Sequence, residues 1–181
     1  NNINFINFRN KKKSSVKKDL KFILKENNQV ILSLSKAYKN NFNDKSLRYF
    51  KKKLDYRIIG MGGSTLGAQA IYDFLKNKVK KNFSFIDNLK GTKNKNIKKK
   101  FNNLIISKSG NTIETIVNVN ILIKKNDKNL FITENKKSYL RQLANELKAE
   151  VVDHNNFIGG RYSVLSEVGM LPAELMGLNS K

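Results

Sequence analysis

The stretch Tyr56-Arg57-Ile58-Ile59-Gly60-Met61-Gly62-Gly63-Ser64-Thr65-Leu66-Gly67 reads as a short apolar run, a glycine-rich turn and the start of a helix. Four more apolar runs bounded by turn signals follow, over residues 83–87, 104–107, 130–133 and 151–153. Between the runs, residues 65–79, 112–124 and 137–148 have helical length and spacing. Leu140, Leu143, Ala144 and Leu147 form a clear i, i+3, i+4, i+7 stripe. Strands alternating with helices predict right-handed βαβ units and a parallel sheet covered on both faces. Residues 90–100, rich in Lys and Asn without apolar periodicity, are expected to be an exposed loop or a frayed helix.

Upstream, Val16, Leu20, Ile23 and Leu24 have the spacing of an amphipathic helix over residues 14–28. Residues 30–34 read as a helix continuing toward Tyr38 or as an extended piece, and 42–53 as a loop or short helix. The division expected is a helical, basic segment over 1–54 and one α/β domain over 55–181. The lone proline, Pro172, lies in an apparently helical tail, where it starts a helix or kinks one.

A chain of 181 residues can bury roughly 70% of its unfolded surface. Its formal net charge is +22, yet residues 1–100 hold 26 Lys/Arg against 6 Asp/Glu, and 101–181 hold 10 against 8. Such an excess raises the question of nucleic acid. Against that stand 31 Lys and only 5 Arg, because base-edge and bidentate phosphate readout favour the Arg fork. The runs at 11–13, 51–53 and 98–100 fall where loops are expected, and Asn is abundant at 27. Solvated Lys and Asn faces are the plainer reading, and no nucleic-acid partner is expected. Zero Cys excludes a disulfide framework and a Cys nucleophile, and one His leaves little for a zinc site. No metal or cofactor is expected. No apolar run nears the ~20 residues of a membrane span, so no membrane partner is expected either. The reading is a soluble protein of a reducing compartment, the cytoplasm. The chain begins Asn1-Asn2 without Met, which leaves open that it is a piece of a longer protein.

Ligands of open α/β sheets bind beyond the C-terminal strand ends. The 60–67 turn lacks the third glycine of a dinucleotide fingerprint, Thr65 standing there, and lacks the Gly-Lys-Ser/Thr of a Walker loop. Asp87, ending the next strand, would suit a ribose hydroxyl but supports a dinucleotide only weakly. A generic phosphate cradle or a tight strand-to-helix turn remains, with Ser64 as a hydroxyl donor. The second such turn is Ser107-Lys108-Ser109-Gly110-Asn111-Thr112-Ile113-Glu114-Thr115. Asn111 with Glu114 fits an N-cap and N3 pair, and capping alone explains one hydroxyl. Three hydroxyls and a cation exceed that need. Ser64, Ser107, Ser109 and Thr112 are therefore expected to meet around one phosphoryl group.

The third motif is Gly159-Gly160-Arg161-Tyr162-Ser163-Val164-Leu165-Ser166. In order and approximate spacing, the three motifs resemble the glucose-6-phosphate isomerase (phosphoglucose isomerase) family, as its N-terminal portion, over roughly residues 55–178. The Ser-Lys-Ser-Gly-Asn-Thr-Ile-Glu-Thr turn resembles the phosphate loop of sugar isomerase (SIS) domains. The resemblance implies a three-layer αβα sandwich, SIS or flavodoxin-like, with a mostly parallel sheet of about five strands. It implies that Gly63, Ser64, Ser107, Lys108, Ser109 and Thr112 hold a hexose 6-phosphate, and that Arg161, backed by Gly160, lies near the reacting carbons. The family interconverts glucose 6-phosphate and fructose 6-phosphate through an enediol. A preorganised guanidinium suits the negative charge that develops there. A homodimer is implied for the full-length protein.

Two departures stand out: Thr65 where an Asp is frequent, and Glu167 at a position often small. The family's general-base Glu, ring-opening His and late Lys lie downstream of the arginine motif, mostly within or next to a second SIS domain, and are expected outside this chain. Neither Glu174 nor His154 maps onto them, and His154 is read as structural or as a strand-end hydrogen-bonding group. For Arg161 the alternative is an ion pair at a domain edge. A stand-alone SIS module sensing phosphosugars without catalysis is the competing function, although a sensor has no need of Gly-Gly-Arg-Tyr-Ser.

Overall fold

The computed structural model describes residues 14–26, 28–52, 54–89, 100–124 and 127–179. Three helices come first: α1 (Ser14–Lys25), α2 (Gln29–Ser33) and α3 (Asp44–Lys51). Five strands then alternate with helices: β1 (Asp55–Ile59), α4 (Leu66–Phe74), β2 (Asn82–Ile86), β3 (Asn102–Ile106), α5 (Ile113–Leu122), β4 (Lys128–Glu134), α6 (Tyr139–Glu146) and β5 (Glu150–His154). Helix α7 (Glu167–Met176) closes the described chain. All five expected strands are present, and all pair in parallel in the order β2-β1-β3-β4-β5.

Successive strand residues point to opposite faces, and this parity sorts the core. Ile58, Leu104, Ile106, Leu130 and Ile132 face one cluster, joined by Leu47, Phe50, Ala68, Leu171 and Leu175 from α3, α4 and α7. Ile59, Ile105 and Phe131 face the other, joined by Val119, Leu140 and Ala144 from α5 and α6. Central β3 is buried along its whole length, whereas edge strand β2 alternates exposed and buried at its start. A parallel sheet covered on both faces accounts for the apolar run 104–106, while the buried Asn102 and Asn103 amides donate to the Asp55 carbonyl and to Asn129 Oδ1. Each fully buried Leu or Ile contributes about 1.5–3 kcal/mol, so this double-sided core dominates the fold's stability.

The N-terminal segment enters the same core. Leu47 is fully buried, and the Tyr56 hydroxyl donates to the Phe50 carbonyl while its ring stacks on Phe83 at 4.6 Å. Helix α1 forms as its spacing predicts, but Val16, Leu20, Phe22 and Leu24 are exposed. The 30–34 stretch is helical and stops at the Leu34 cap rather than running on to Tyr38.

One local expectation is corrected and one is narrowed. Lys51 is not in a loop: it ends α3, where a cation complements the helix dipole, and it pairs with Glu174 at 3.4 Å. Pro172 does not start α7, because the Ser166 hydroxyl already caps that helix by accepting from Val168 N–H; Pro172 sits buried in its interior. The expected loop at 90–99 and the lysines at 11–13 lie outside the described residues.

Candidate functional site

The strand order reverses between β1 and β3: from β1 the chain moves outward to β2, then crosses back to β3. In such a sheet the two turns following those strands diverge and leave a crevice at their C-terminal ends. The first two sequence motifs occupy those two turns.

After β1, Gly60 N–H bonds the Ile86 carbonyl at 3.1 Å, and Gly62 takes a positive φ of 54° at the entry to a 3-10 turn, Gly62–Ser64. Only glycine adopts that conformation at little cost. Thr65 is fully buried, and its hydroxyl donates to the Gly62 carbonyl at 3.2 Å. The residue that breaks the dinucleotide fingerprint thus braces the turn from inside. Ser64, by contrast, is half-buried at the turn's surface.

After β3, the hydroxyls gather. Ser107 Oγ lies 3.0 Å and Ser109 Oγ 3.5 Å from Thr112 Oγ1. Ser107 Oγ accepts from Gly110 N–H at 3.2 Å, and Ser109 Oγ from Asn111 N–H at 3.2 Å. Thr112 is the N-cap of α5, yet its side chain makes no capping bond, and the first helical bond runs from Ile116 N–H to Thr112 O. The amides of Ile113, Glu114 and Thr115 precede that bond, at the positive end of the helix dipole. Thr115 is 1% exposed, and its hydroxyl has no hydrogen-bond partner among the described residues.

The expected Asn111–Glu114 capping pair does not form. Asn111 Oδ1 instead accepts from Tyr139 N–H at 2.9 Å, tying this turn to the start of α6. Ser138, the N-cap there, also crowds Gly110, whose φ is 67°. Lys108 leans away from the hydroxyls: its ammonium lies 3.5 Å from Glu134 Oε1 and donates to the Asn156 carbonyl. Burial pushes the Glu134 carboxyl up, but hydrogen bonds and charge from Lys136 and then Lys108 outweigh it and hold it below the usual carboxylate range.

The third motif arrives from the far side of the sheet. β5 is the edge strand, yet residues 155–160 cross back over the strand ends, past Lys108, to the β1 turn. Gly63 and Gly160 then touch backbone to backbone; a Cβ on Gly63 would stand 2.3 Å from Gly160 O. Ser163, buried, points its hydroxyl at the carbonyls of both, 3.2 Å from Gly63 O and 2.8 Å from Gly160 O. The 3-10 turn Gly160–Leu165 carries Arg161, which is exposed and makes no ion pair among the described residues.

His154 ends β5 and is buried beside Glu167 rather than at the crevice. A cavity of about 600 Å³ opens nearby between the ends of β4 and β5, lined by Asn41, Glu134, Lys136, Asp153 and His154 among others, and by none of the predicted site residues. Asp87 follows the edge strand β2, half-buried, away from the reversal point. Among the described residues, no cluster of His, Asp and Glu is arranged to hold a metal, and no helix is long and apolar enough to cross a membrane.

The family model for phosphoglucose isomerase matches residues 1–179. The chain is 33% identical over 158 residues to glucose-6-phosphate isomerase of Methanocaldococcus jannaschii, covering 79% of this chain and 39% of that one. It is 37% identical over 142 residues to the enzyme of that name from Acholeplasma laidlawii, covering 67% and 33%. Its fold is similar to the crystal structure of a hypothetical protein from Thermus thermophilus, with a TM-score of 0.64, 24% identity and coverage of 75% and 37%. The chain thus spans between a third and two fifths of the length of these curated relatives.

Proposed function

The chain belongs to the phosphoglucose isomerase family, and we propose that it supplies the sugar-phosphate site and one electrophilic arginine of an enzyme interconverting glucose 6-phosphate and fructose 6-phosphate. The observation that carries this reading is the Gly63–Gly160 contact, which joins the arginine turn to the turn after β1. In this reading Ser64, Ser107, Ser109 and Thr112 donate to the phosphate, with the Gly63 backbone and the free amides at the start of α5. The Lys108 side chain, engaged by Glu134, adds local positive charge. Neutral donors and a helix N-terminus suit an anion without requiring a buried counter-charge.

Residues 55–181 form the binding domain in this proposal, and 1–54 its N-terminal segment. Chemistry begins once the sugar is open: a proton leaves the carbon beside the carbonyl, the electron pair shifts onto the carbonyl oxygen, and an enediolate forms. A proton then passes from the hydroxyl of the deprotonated carbon to that oxygen, and returning the abstracted proton to the former carbonyl carbon completes the aldose–ketose exchange. Arg161 stabilises the developing oxyanion, and Gly160 lets it approach; a Lys would lack the fixed fork. The base that moves the proton is proposed to lie in the part of the relatives' length this chain does not span. Its lack would remove roughly 10²–10⁴-fold in rate. A cytoplasmic homodimer completes the proposal for the whole protein.

Calorimetric titration of the 181-residue chain tests the binding half. Fructose 6-phosphate is expected to bind with a Kd of about 1 μM–1 mM, the usual range of enzyme substrates, and unphosphorylated fructose not to bind. Equal heats from the two sugars would refute it. In the whole protein, Arg161→Lys is expected to lower kcat by about 10²-fold, the cost of an oxyanion donor, with KM little changed. A non-catalytic sensor would show no turnover before or after the change.

A further inference from the structure

Behind the arginine turn lies a buried ionic network that phosphate binding does not use. His154 is 4% exposed and Glu167 is fully buried. His154 Nδ1 lies 2.5 Å from Glu167 Oε1, and its Nε2 lies 3.1 Å from the Ile158 carbonyl. Acceptor oxygens thus face both ring nitrogens and fix the ring from two sides. Glu167 also accepts from the Tyr38 hydroxyl at 2.9 Å and from Asn155 N–H at 3.3 Å. The Asn155 amide closes the ring by donating to the Tyr38 oxygen at 2.9 Å. Burial pushes the Glu167 carboxyl up, but hydrogen bonds from His154, its own backbone N–H and Tyr38 outweigh burial and leave it below its ordinary range. Burial, opposed by Asn155 and reinforced by the Glu167 charge, pushes the Tyr38 phenol up, so it stays a donor.

Other charges near this pair are committed elsewhere. Glu134, the register partner of His154 on β4, faces Lys108 and Lys136, and Asp153 pairs with Arg141 at 2.7 Å. What the network grips is one short segment. Asn155 is held by its N–H and its side chain, Ile158 by its carbonyl, and Asn156 between them by Lys108. Directly after come Gly159, Gly160 and Arg161. Two glycines carry little conformational preference of their own, so where Arg161 stands depends on what fixes the residues before them. A buried ion pair is also a poor way to gain stability alone, since apolar residues of similar volume often serve as well or better.

We propose that the His154–Glu167 ion pair, bolted to the N-terminal segment through Tyr38, is a positioning device that fixes residues 155–158 and thereby sets Gly160 and Arg161 against the Gly63 turn. The consequence for chemistry rests on the isomerase reading; the clamp itself does not. His154, Glu167 and Tyr38 are positioning residues, and none needs to touch substrate.

His154 is the one histidine of the sequence, so its ring signals in a ¹⁵N-labelled 181-residue chain need no assignment. A ring N–H held by Glu167 and exchanging slowly with water is expected; a ring that exchanges freely with solvent would overturn the proposal. Tyr38→Phe removes one hydroxyl at the periphery of the clamp and is expected to fold, whereas Glu167→Gln tests the pair directly. In either folded variant the amide signals of Gly160 and Arg161 should move, and unmoved signals would overturn the proposal. Fructose 6-phosphate and inorganic phosphate should each bind Tyr38→Phe about as tightly as the wild type. In the whole protein kcat should fall about tenfold, the scale of one hydrogen bond to a charged group, with KM little changed, a split that lost stability alone does not produce; unchanged kcat would overturn the clamp. A wild-type chain that binds no fructose 6-phosphate but has the slowly exchanging ring N–H, with the amides moved in the variants, would sink the isomerase reading and leave the clamp standing.

Discussion

The turn after β3 and the turn after β5 meet over one sheet edge but are held by opposite kinds of contact. The first is built from neutral hydroxyls that bond within their own turn or to its amides, at 3.0–3.5 Å, beside an uncapped helix start. The second is anchored by a fully buried carboxylate and a buried imidazole, with partners on β5, α7 and the segment before α3. A hydroxyl rotates and can exchange one acceptor for another, so the β3 turn keeps hydrogen-bonding capacity to spare. A buried ion pair has no such freedom, because each charge must keep its partner. One turn is suited to receiving a ligand and the other to staying where it is.

The sharpest way to break this contrast is Glu167→Ala. It strips the buried His154 ring, the Tyr38 hydroxyl and the Asn155 amide of their shared acceptor and is expected to cost about 3 kcal/mol by urea denaturation. A loss under about 1 kcal/mol, the scale of an ordinary surface change, would mean that the second turn is no more rigidly anchored than the first. Next comes Gly63→Ala, whose methyl would meet the Gly160 carbonyl at 2.3 Å, a backbone atom that cannot rotate away. Overpacking of this kind costs about 1–3 kcal/mol, and thermal melting with fructose 6-phosphate present should show a smaller ligand-induced rise in Tm. An unchanged rise would separate the two turns functionally.

Acid sharpens the comparison because the carboxylates belong to the β5 turn and its neighbour β4. Glu167 and Glu134 are both held below the ordinary Glu value, so their contribution is present above the unfolded value of about 4.3 and is lost as pH falls through the folded values. Denaturation midpoints are expected to be level above about pH 5 and to fall below it, with a shallower fall in Glu167→Gln. An identical acid limb in that variant would remove Glu167 from the account.

Smaller effects belong to the hydroxyl turn. Ser107→Ala should cost about 1 kcal/mol in stability yet weaken fructose 6-phosphate binding about tenfold, a typical loss for a hydrogen bond to a charged group. If stability fell and affinity held, Ser107 would be a turn brace only. Smallest of all, Thr115→Val removes a buried hydroxyl without a partner and should raise stability by up to about 1 kcal/mol. A loss of similar size would show that the hydroxyl has a partner in solution.

Much of the fold was legible along the chain. Apolar runs of strand length, glycine turns and 3.6-residue stripes predicted all five strands and the helices between them, because each signal is short-range. The hydroxyl turn was legible for the same reason: its members lie within six residues of one another. Local rules failed where a side chain had a better distant partner. Asn111 fits an N-cap pattern, but its carbonyl oxygen meets Tyr139 N–H 28 residues away. Glu167 stood out only as a departure from the resemblance; no spacing rule links it to Tyr38, 129 residues upstream. Which acid would be buried beside the single histidine is not written in the local pattern.

By itself the sequence determined an alternating α/β chain, its strand ends, the chemistry of the hydroxyl turn and the family to which the three motifs point. Strand periodicity, turn residues and helix stripes are set by backbone sterics and by neighbours a few positions away. Only the tertiary structure decided that β5 lies at the sheet's edge, that its following segment returns across the strand ends, and that Gly160 rests on Gly63. It alone paired His154 with Glu167 and Tyr38. Those contacts arise from which faces pack and which buried charges must then be matched, and desolvation makes an unmatched charge too costly to keep.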